Sequence, residues 1–117
     1  MSQVLDGILK KTIEEDFTVN TEYVSERVDI DNREEEFSIQ LNYSNGVNVD
    51  MVIKLEASVD GENFSEITDS DQNITDSTGT HIYDIAGSGV IYIRVKIEVN
   101  TGSIDIDKLI YSGKRRH

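Results

Sequence analysis

Residues 47–60 read VNVDMVIKLEASVD, and the order of apolar and polar side chains in this stretch decides the fold class. Every second residue is apolar, at Val47, Val49, Met51, Ile53, Leu55, Ala57 and Val59. Side chains of a β-strand point alternately to its two faces, so the pattern predicts a strand with one buried face. The run is longer than a typical strand, and we therefore expect a bulge or a bend near Met51-Val52.

The same alternation recurs before and after this stretch. It is found in SERVDID (25–31), FSIQLNYS (37–44), VIYIRVKIEV (90–99) and SIDIDKLIYSG (103–113), with NFSEIT (63–68) and THIYDIA (80–86) as shorter candidate strands. In the last long segment the apolar phase shifts near Asp107, which predicts a second bulge. The segment SNG (44–46) predicts a tight hairpin turn, because Asn-Gly tolerates the positive φ that such a turn requires.

These strands, with turn signals at regular intervals and no alternating helices, predict an all-β fold. We expect an antiparallel β-sandwich, jelly-roll or Ig-like, of about seven to eight strands with an N-terminal arm. The chain of 117 residues suits one domain. We assign residues 21–113 to the β-sandwich domain and residues 114–117 to a basic C-terminal tail.

Residues 1–20 form the predicted arm, which is either a short helix or extended. Val4, Leu5, Ile8 and Leu9 recur at helical spacing, whereas Gly7 argues against a firm helix. The arm has more apolar side chains than a free tail needs, so we expect it to dock on a partner.

The amino-acid composition of the chain excludes several classes of function. The net charge is −12, from 23 acidic and 11 basic residues, and such a surface repels nucleic acid and anionic membranes. The chain has no cysteine, which excludes disulfides and thiolate metal sites. We find no signal-peptide pattern and no apolar run of transmembrane length, so we expect synthesis in a cytoplasm.

Motifs that carry chemistry are missing from the sequence. It has no phosphate-binding loop, dinucleotide fingerprint or zinc spacing, and we predict no cofactor, no metal and no enzymatic activity. His81, with Asp76 and Asp84 nearby, is the closest approach to an acid–base set, but it is more typical of a surface strand end.

The loop DSDQNITD (69–76) partly copies a calcium-binding loop. Asp69, Asp71 and Asn73 match the opening of that motif, and Asp76 could add a ligand. Ile74 stands where the motif needs glycine, and Thr80 stands where a glutamate should close the site. We therefore interpret the segment as a polar loop between strands.

The turn SVDGENF (58–64) is the most informative loop. We expect Gly61 to supply a positive φ, Asp60 to cap the turn through its carboxylate, and Phe64 to return to the core. The stretch resembles the S-x-D-G-x-x-F/W turn of discoidin-like and galactose-binding-like sandwiches. That resemblance implies a carbohydrate-binding module, with ligands on the loops around Asp60, Asn63 and residues 69–76.

A second resemblance concerns residues 57–117. The strand YIRV (92–95), the turn TGS (101–103) and the ending GKRRH (113–117) are similar to the C-terminal half of small virion structural proteins of tailed bacteriophages. The resemblance implies a non-enzymatic virion subunit, most specifically a capsid decoration or other accessory protein. The implied partners are further copies of the chain and other virion proteins, without direct contact to nucleic acid or membrane.

Two terminal segments are the candidate partner contacts. The apolar set comprises Val4, Leu5, Ile8 and Leu9, and the basic set comprises Lys114, Arg115 and Arg116. Removing the three basic residues leaves a more acidic body, so this end offers a cationic handle to an acidic neighbour.

Overall fold

The computed structural model describes residues 8–30, 34–86 and 92–115, and these residues form an all-β structure. The strands are β1 (Ile8–Val19), β2 (Tyr23–Val24), β3 (Val28–Asp29), β4 (Glu34–Ser58), β5 (Ser65–Glu66), β6 (Gln72–Ile74), β7 (Gly79–Ala86) and β8 (Tyr92–Arg115). These strands pair with one another antiparallel throughout. The described residues contain no helix that is long and apolar enough to span a membrane.

Two long strands, β4 and β8, pair with each other along their whole length and belong to both layers of the fold. In the first layer, the beginning of β4 lies between β7 and the end of β8, and β1 adds to the far side of β8. In the second layer, the end of β4 lies between the short strands β5 and β6 and the beginning of β8, which also pairs with β2 and β3. The expected antiparallel β-sandwich is confirmed.

The two layers pack face to face around an apolar core. The Tyr83 hydroxyl on β7, in the first layer, donates a hydrogen bond of 2.9 Å to the backbone oxygen of Ile53 in the second. The predicted inward residues Met51, Ile53 and Leu55 are at most 1% exposed. Val47 and Val59, at the ends of the alternating run, are instead 58% and 66% exposed, because β4 is distorted before Met51 and ends at Ser58.

The prediction of a hairpin turn at residues 44–46 is wrong. Asn45 does adopt a positive φ of 53°, but β4 continues through it and remains paired with β8 on both sides. The pairing register shifts repeatedly between Ser44 and Met51, where the strand passes from one layer to the other. The positive φ therefore serves a bend within one strand, and the bend expected near Met51-Val52 is confirmed by the shift between Asp50 and Met51.

The bulge predicted near Asp107 is confirmed. Tyr43 pairs with Ile106 and Asn42 pairs with Lys108, so Asp107 has no counterpart on β4. Ile106 and Leu109 are both fully buried although two residues, rather than one, lie between them, because the extra residue shifts the inward phase by one position.

The terminal segments differ from the sequence-based boundaries. Ile8–Val19 of the predicted arm is extended and forms β1, paired with β8, so these residues are a strand of the sheet and not a helix. β8 continues to Arg115, and Lys114 and Arg115 therefore pair within the sheet at backbone level. Backbone hydrogen bonds between neighbouring strands hold both terminal segments in the sheet, although no alternation of apolar residues indicates a strand in either segment.

Candidate functional site: the Asp60 turn and the adjoining outer face

The turn between β4 and β5 is organised by the Asp60 carboxylate. It accepts hydrogen bonds from the backbone N–H groups of Glu62 (2.8 Å) and Asn63 (2.9 Å), from the Asn63 side chain and from the Ser58 hydroxyl. Ser58 in turn accepts from the N–H of Gly61, which has a φ of 81°. The expected roles of Asp60 as a cap and Gly61 as the positive-φ residue are confirmed.

These donors hold the pKa of Asp60 well below its usual range, with the backbone N–H groups of Asn63 and Glu62 as the largest causes. The carboxylate is therefore ionised at neutral pH, and four internal donors already occupy it. Its role in the turn is structural, which leaves it little capacity to bind a sugar hydroxyl.

Two arginines from distant parts of the sequence lie over aromatic rings beside this turn. Arg27 donates to the backbone oxygen of Gly61 at 3.1 Å, and its guanidinium lies 4.5 Å from the centre of the Tyr92 ring. Arg94 lies 4.1 Å from the centre of the Phe64 ring and donates to Glu56 at 2.7 Å. Both contacts have the geometry of cation–π interactions.

The prediction that Phe64 returns to the core is wrong. Phe64 is half-buried and does not belong to the cluster of buried core residues. Its ring instead packs against Arg94, on the outer face of the second layer. One face of Phe64 and one face of Tyr92 are thus covered by guanidinium groups, which leaves at most one face of each ring for a sugar to stack on.

Ion pairs continue across the outer face of the second layer. Lys54 on β4 lies 3.0 Å from Glu98 on β8 and 3.2 Å from Glu66 on β5. Hydrogen bonds to Glu98 and then Glu66 raise the pKa of Lys54, and the same contact with Lys54 lowers the pKa of Glu98. Lys96 adds a weaker contact to Glu98 at 3.6 Å. Cross-strand pairs of opposite charge make this face polar and internally neutralised.

Sequence reasoning missed most of this surface. Charged residues occupy the outward positions of β4 and β8, namely Lys54, Glu56, Arg94, Lys96 and Glu98. This alternation was the feature of the sequence that could have indicated a charged outer face. The pairing partners depend on the register between the two strands, which the sequence does not state. For Arg27 no local signal exists, because its partners at Gly61 and Tyr92 are both remote in sequence.

The loop at residues 69–76 is anchored to the sandwich. Buried Ser70 accepts a hydrogen bond from the N–H of Leu55 at 3.1 Å, and buried Ile74 lies in β6 paired with Met51. Asn73, on the same strand, pairs with Val52. Across residues 8–30, 34–86 and 92–115, no group of three or more histidine, aspartate or glutamate side chains is arranged to hold a metal ion.

The His81 ring is in direct contact with two neutral side chains. Its Nδ1 atom lies 2.7 Å from Oε1 of Gln72, and its ring stacks on Tyr43 with centres 5.9 Å apart. Burial lowers the pKa of His81, and the charge of Asp76 opposes that shift. Asp84, the other carboxylate considered with it, accepts a hydrogen bond from Ser38 instead.

The structure brings the described members of the two sets of predicted partner contacts to one end of the first layer. Ile8 pairs with Lys114, and Leu9 pairs with Gly113, where β1 adds to β8. Lys114 and Arg115 pair on their other side with Glu36 and Glu34 of β4. Val4, Leu5 and Arg116 lie outside the described residues.

We expect Asp60→Asn to weaken the fold at neutral pH and to lose this effect in acid. The folded-state pKa of Asp60 is depressed, so its stabilisation is present above the unfolded pKa of about 3.9 and is lost as the pH falls further. Thermal unfolding at neutral and acidic pH would measure the difference from the wild type. Glu62→Gln removes a like charge from the same turn and should show no comparable pH-dependent difference.

Comparison with known proteins places the fold but not the family. No protein-family model matches the sequence, and neither does any curated protein. The VP2 subviral particle subunit of infectious bursal disease virus matches with a TM-score of 0.62 and 7% identity, covering 92% of this chain and 32% of that one. The enzymatically active domain of bacteriophage CBA120 tailspike protein 4 matches with a TM-score of 0.58 and 10% identity, covering 89% of this chain and 18% of that one.

A carbohydrate-binding module matches over its whole length. The C-terminal CBM6 of LamC from Zobellia galactanivorans has a TM-score of 0.50 and 9% identity, covering 92% of this chain and 99% of that one. In contrast, this chain spans about a third of the capsid subunit. The shared fold is a β-sandwich found in viral capsid subunits, a phage tailspike and carbohydrate-binding modules, and identities this low show the fold alone.

Proposed function

We propose that this chain is a non-enzymatic structural subunit of a virion, most specifically a capsid decoration or other accessory protein of a tailed phage. The observation that carries the proposal is the pairing of Ile8 with Lys114, which brings the described parts of the apolar and the basic terminal sets together at one end of the sandwich. One neighbouring subunit could contact both segments there. The likeness to a capsid subunit and to a phage tailspike supports the same class.

The chemistry of the described surface favours a structural subunit over a sugar-binding module. The Asp60 carboxylate is occupied by donors from its own turn, and Lys54 and Arg94 are paired with carboxylates. Phe64 and Tyr92 are each covered on one face by an arginine. Each terminal contact is worth only about 0.2–1 kcal/mol when exposed, but repetition over many subunits makes attachment firm.

We expect the chain to be found in the band of intact particles when a lysate of the phage or prophage that encodes it is separated on a density gradient. Replacing Lys114, Arg115 and Arg116 by glutamine should lower its incorporation most at low salt, because at high salt the contacts of these cations are already screened in the wild type. Substitution is preferred to deletion because Lys114 and Arg115 pair within β8. Lys108→Gln, at an exposed position of the same strand, is the control. Absence from the particles contradicts the function, and unchanged incorporation at every salt concentration contradicts attachment through the basic segment.

The alternative is a carbohydrate-binding module, which the full-length match to the CBM6 domain favours. Its ligands would lie on the loops around Asp60, Asn63 and residues 69–76. Binding to a glycan array that Asn63→Ala abolishes, in a chain absent from particles, would support this alternative over the virion function.

A further inference from the structure

Strand β7 forms a long edge of the first layer that lacks the usual protection against pairing with another strand. Its eight residues pair with β4 from Gly79 to Ala86 without any register shift. In the described part of the chain, β4 is its only partner. Natural sheets protect such edges with charges, prolines or bulges, because unpaired N–H and C=O groups recruit other strands.

The opposite edge, β1, shows what a protected edge looks like. It has a register shift between Thr12 and Glu14 and a dense set of charged residues. These are Lys10, Lys11, Glu14, Glu15 and Asp16. β7 contains one acidic residue, Asp84, and no lysine, arginine or proline. The contrast indicates that the β7 edge is kept available for pairing.

We infer that β7 pairs antiparallel with β7 of a second copy of this chain, about a two-fold axis through Ile82. The outward side chains of β7 belong to Thr80, Ile82 and Asp84, all exposed, and Ile82 is 52% exposed. An axis at Ile82 places the two Ile82 side chains together on the outer face. It also places each Thr80 directly opposite the Asp84 of the other copy, and keeps inward side chains on the inner face of both copies.

β7 carries one formal charge, Asp84, so a second copy of this acidic chain can approach along it, and charge also selects the register. The chain has a net charge of −12, so two copies repel each other over most contacts. With the axis at Ile82, the two Asp84 carboxylates are four residues apart along the strands, or about 14 Å. That distance exceeds the Debye length of about 8 Å at physiological ionic strength, so their repulsion is largely screened. A register centred on Asp84 would instead place the two carboxylates face to face.

Thr80 allows a test in which the two variants shift dimerisation in opposite directions. Thr80→Lys places a cation opposite Asp84 of the second copy and should tighten the dimer several-fold at low salt, with the gain lost at high salt. Thr80→Asp places a like charge there and should weaken the dimer about ten-fold or more. Thr80 is exposed and donates to Asn42, so loss of that hydrogen bond is common to both variants and cannot produce opposite signs.

Sedimentation equilibrium of the full chain from about 1 µM to about 1 mM would measure the dimer. Ile82→Lys should abolish it, whereas Val47→Lys, at an exposed apolar position of similar exposure in the bend of β4, should leave it unchanged. A wild-type chain that stays monomeric throughout overturns the inference and leaves the edge to a strand of another protein. Equal shifts from the two Thr80 variants overturn it as well. The result is independent of the virion function, which particle incorporation tests separately.

Discussion

Replacing Gly102 by alanine is expected to cost about 3 kcal/mol or more of unfolding free energy, or to prevent folding. Gly102 lies in β8 with a φ of 86°, a conformation that costs an L-residue about 1–2 kcal/mol. A Cβ atom there would also lie 2.2 Å from the backbone oxygen of Val47 and 2.3 Å from that of Asn48. These oxygens belong to the bend of β4, so they cannot move aside without shifting the strand, which adds about 1–3 kcal/mol.

Gly61→Ala is the matched control for this substitution. Gly61 has nearly the same φ, 81°, so its replacement incurs the same backbone strain. The nearest atom to its added Cβ is Nη1 of Arg27, the far end of a flexible side chain, at 2.4 Å. We therefore expect a loss of only about 1–2 kcal/mol. Urea unfolding of both variants would compare the two losses, and equal losses would contradict the close approach of β8 to the β4 bend.

The alternation of apolar residues was sufficient to predict the core and the fold class. Ile39, Leu41, Ile53, Leu55 and Ile97 all fall on the inward phase that the sequence indicated. A period of two is a local property of a strand with one buried face, so it is visible without knowledge of the partner strands. The bulge at Asp107 was predictable for the same reason, because it changes the phase of the pattern.

The turn at SNG (44–46) was misinterpreted because its outcome depends on non-local pairing. A positive φ at Asn45 is compatible with both a hairpin turn and a bend within one strand. The choice is made by β8, which follows β4 through the bend, and by Gly102, whose missing side chain allows the close approach. Nothing near residue 45 in the sequence records that pairing.

The candidate site was only partly predictable for a similar reason. Asp60 and Gly61 act through neighbours in the sequence, and their roles were predicted correctly. Phe64 was assigned to the core because apolar residues are usually buried, but Arg94 on β8 provides a partner for its ring outside the core. The pairing of β1 with the sheet and the last two residues of β8 were not predicted, because backbone pairing, rather than apolar alternation, holds Ile8 and Lys114 in the sheet.

The continuity of β4 through both layers predicts that the two layers unfold together. Leu41 lies in the first layer and Leu55 in the second, and each is at most 1% exposed. Either leucine replaced by alanine should lose about 2–5 kcal/mol of unfolding free energy, from lost burial and the cavity left behind. The pairing of β4 with β8 runs through both layers, and the hydrogen bond from the Tyr83 hydroxyl joins the two layers. We therefore expect that neither layer can unfold while the other stays folded.

Urea unfolding of Leu41→Ala and Leu55→Ala, followed by far-UV circular dichroism and by tyrosine fluorescence, would measure this coupling. We expect one transition in each variant, with the same midpoint for both probes. Val47→Ala, on the same strand but 58% exposed, should stay within about 0.5 kcal/mol of the wild type. Two separated transitions in either leucine variant would show that the layers are independent units. The shared strands would then act as a hinge at the bend between Ser44 and Met51, rather than as the structure that makes the sandwich one cooperative body.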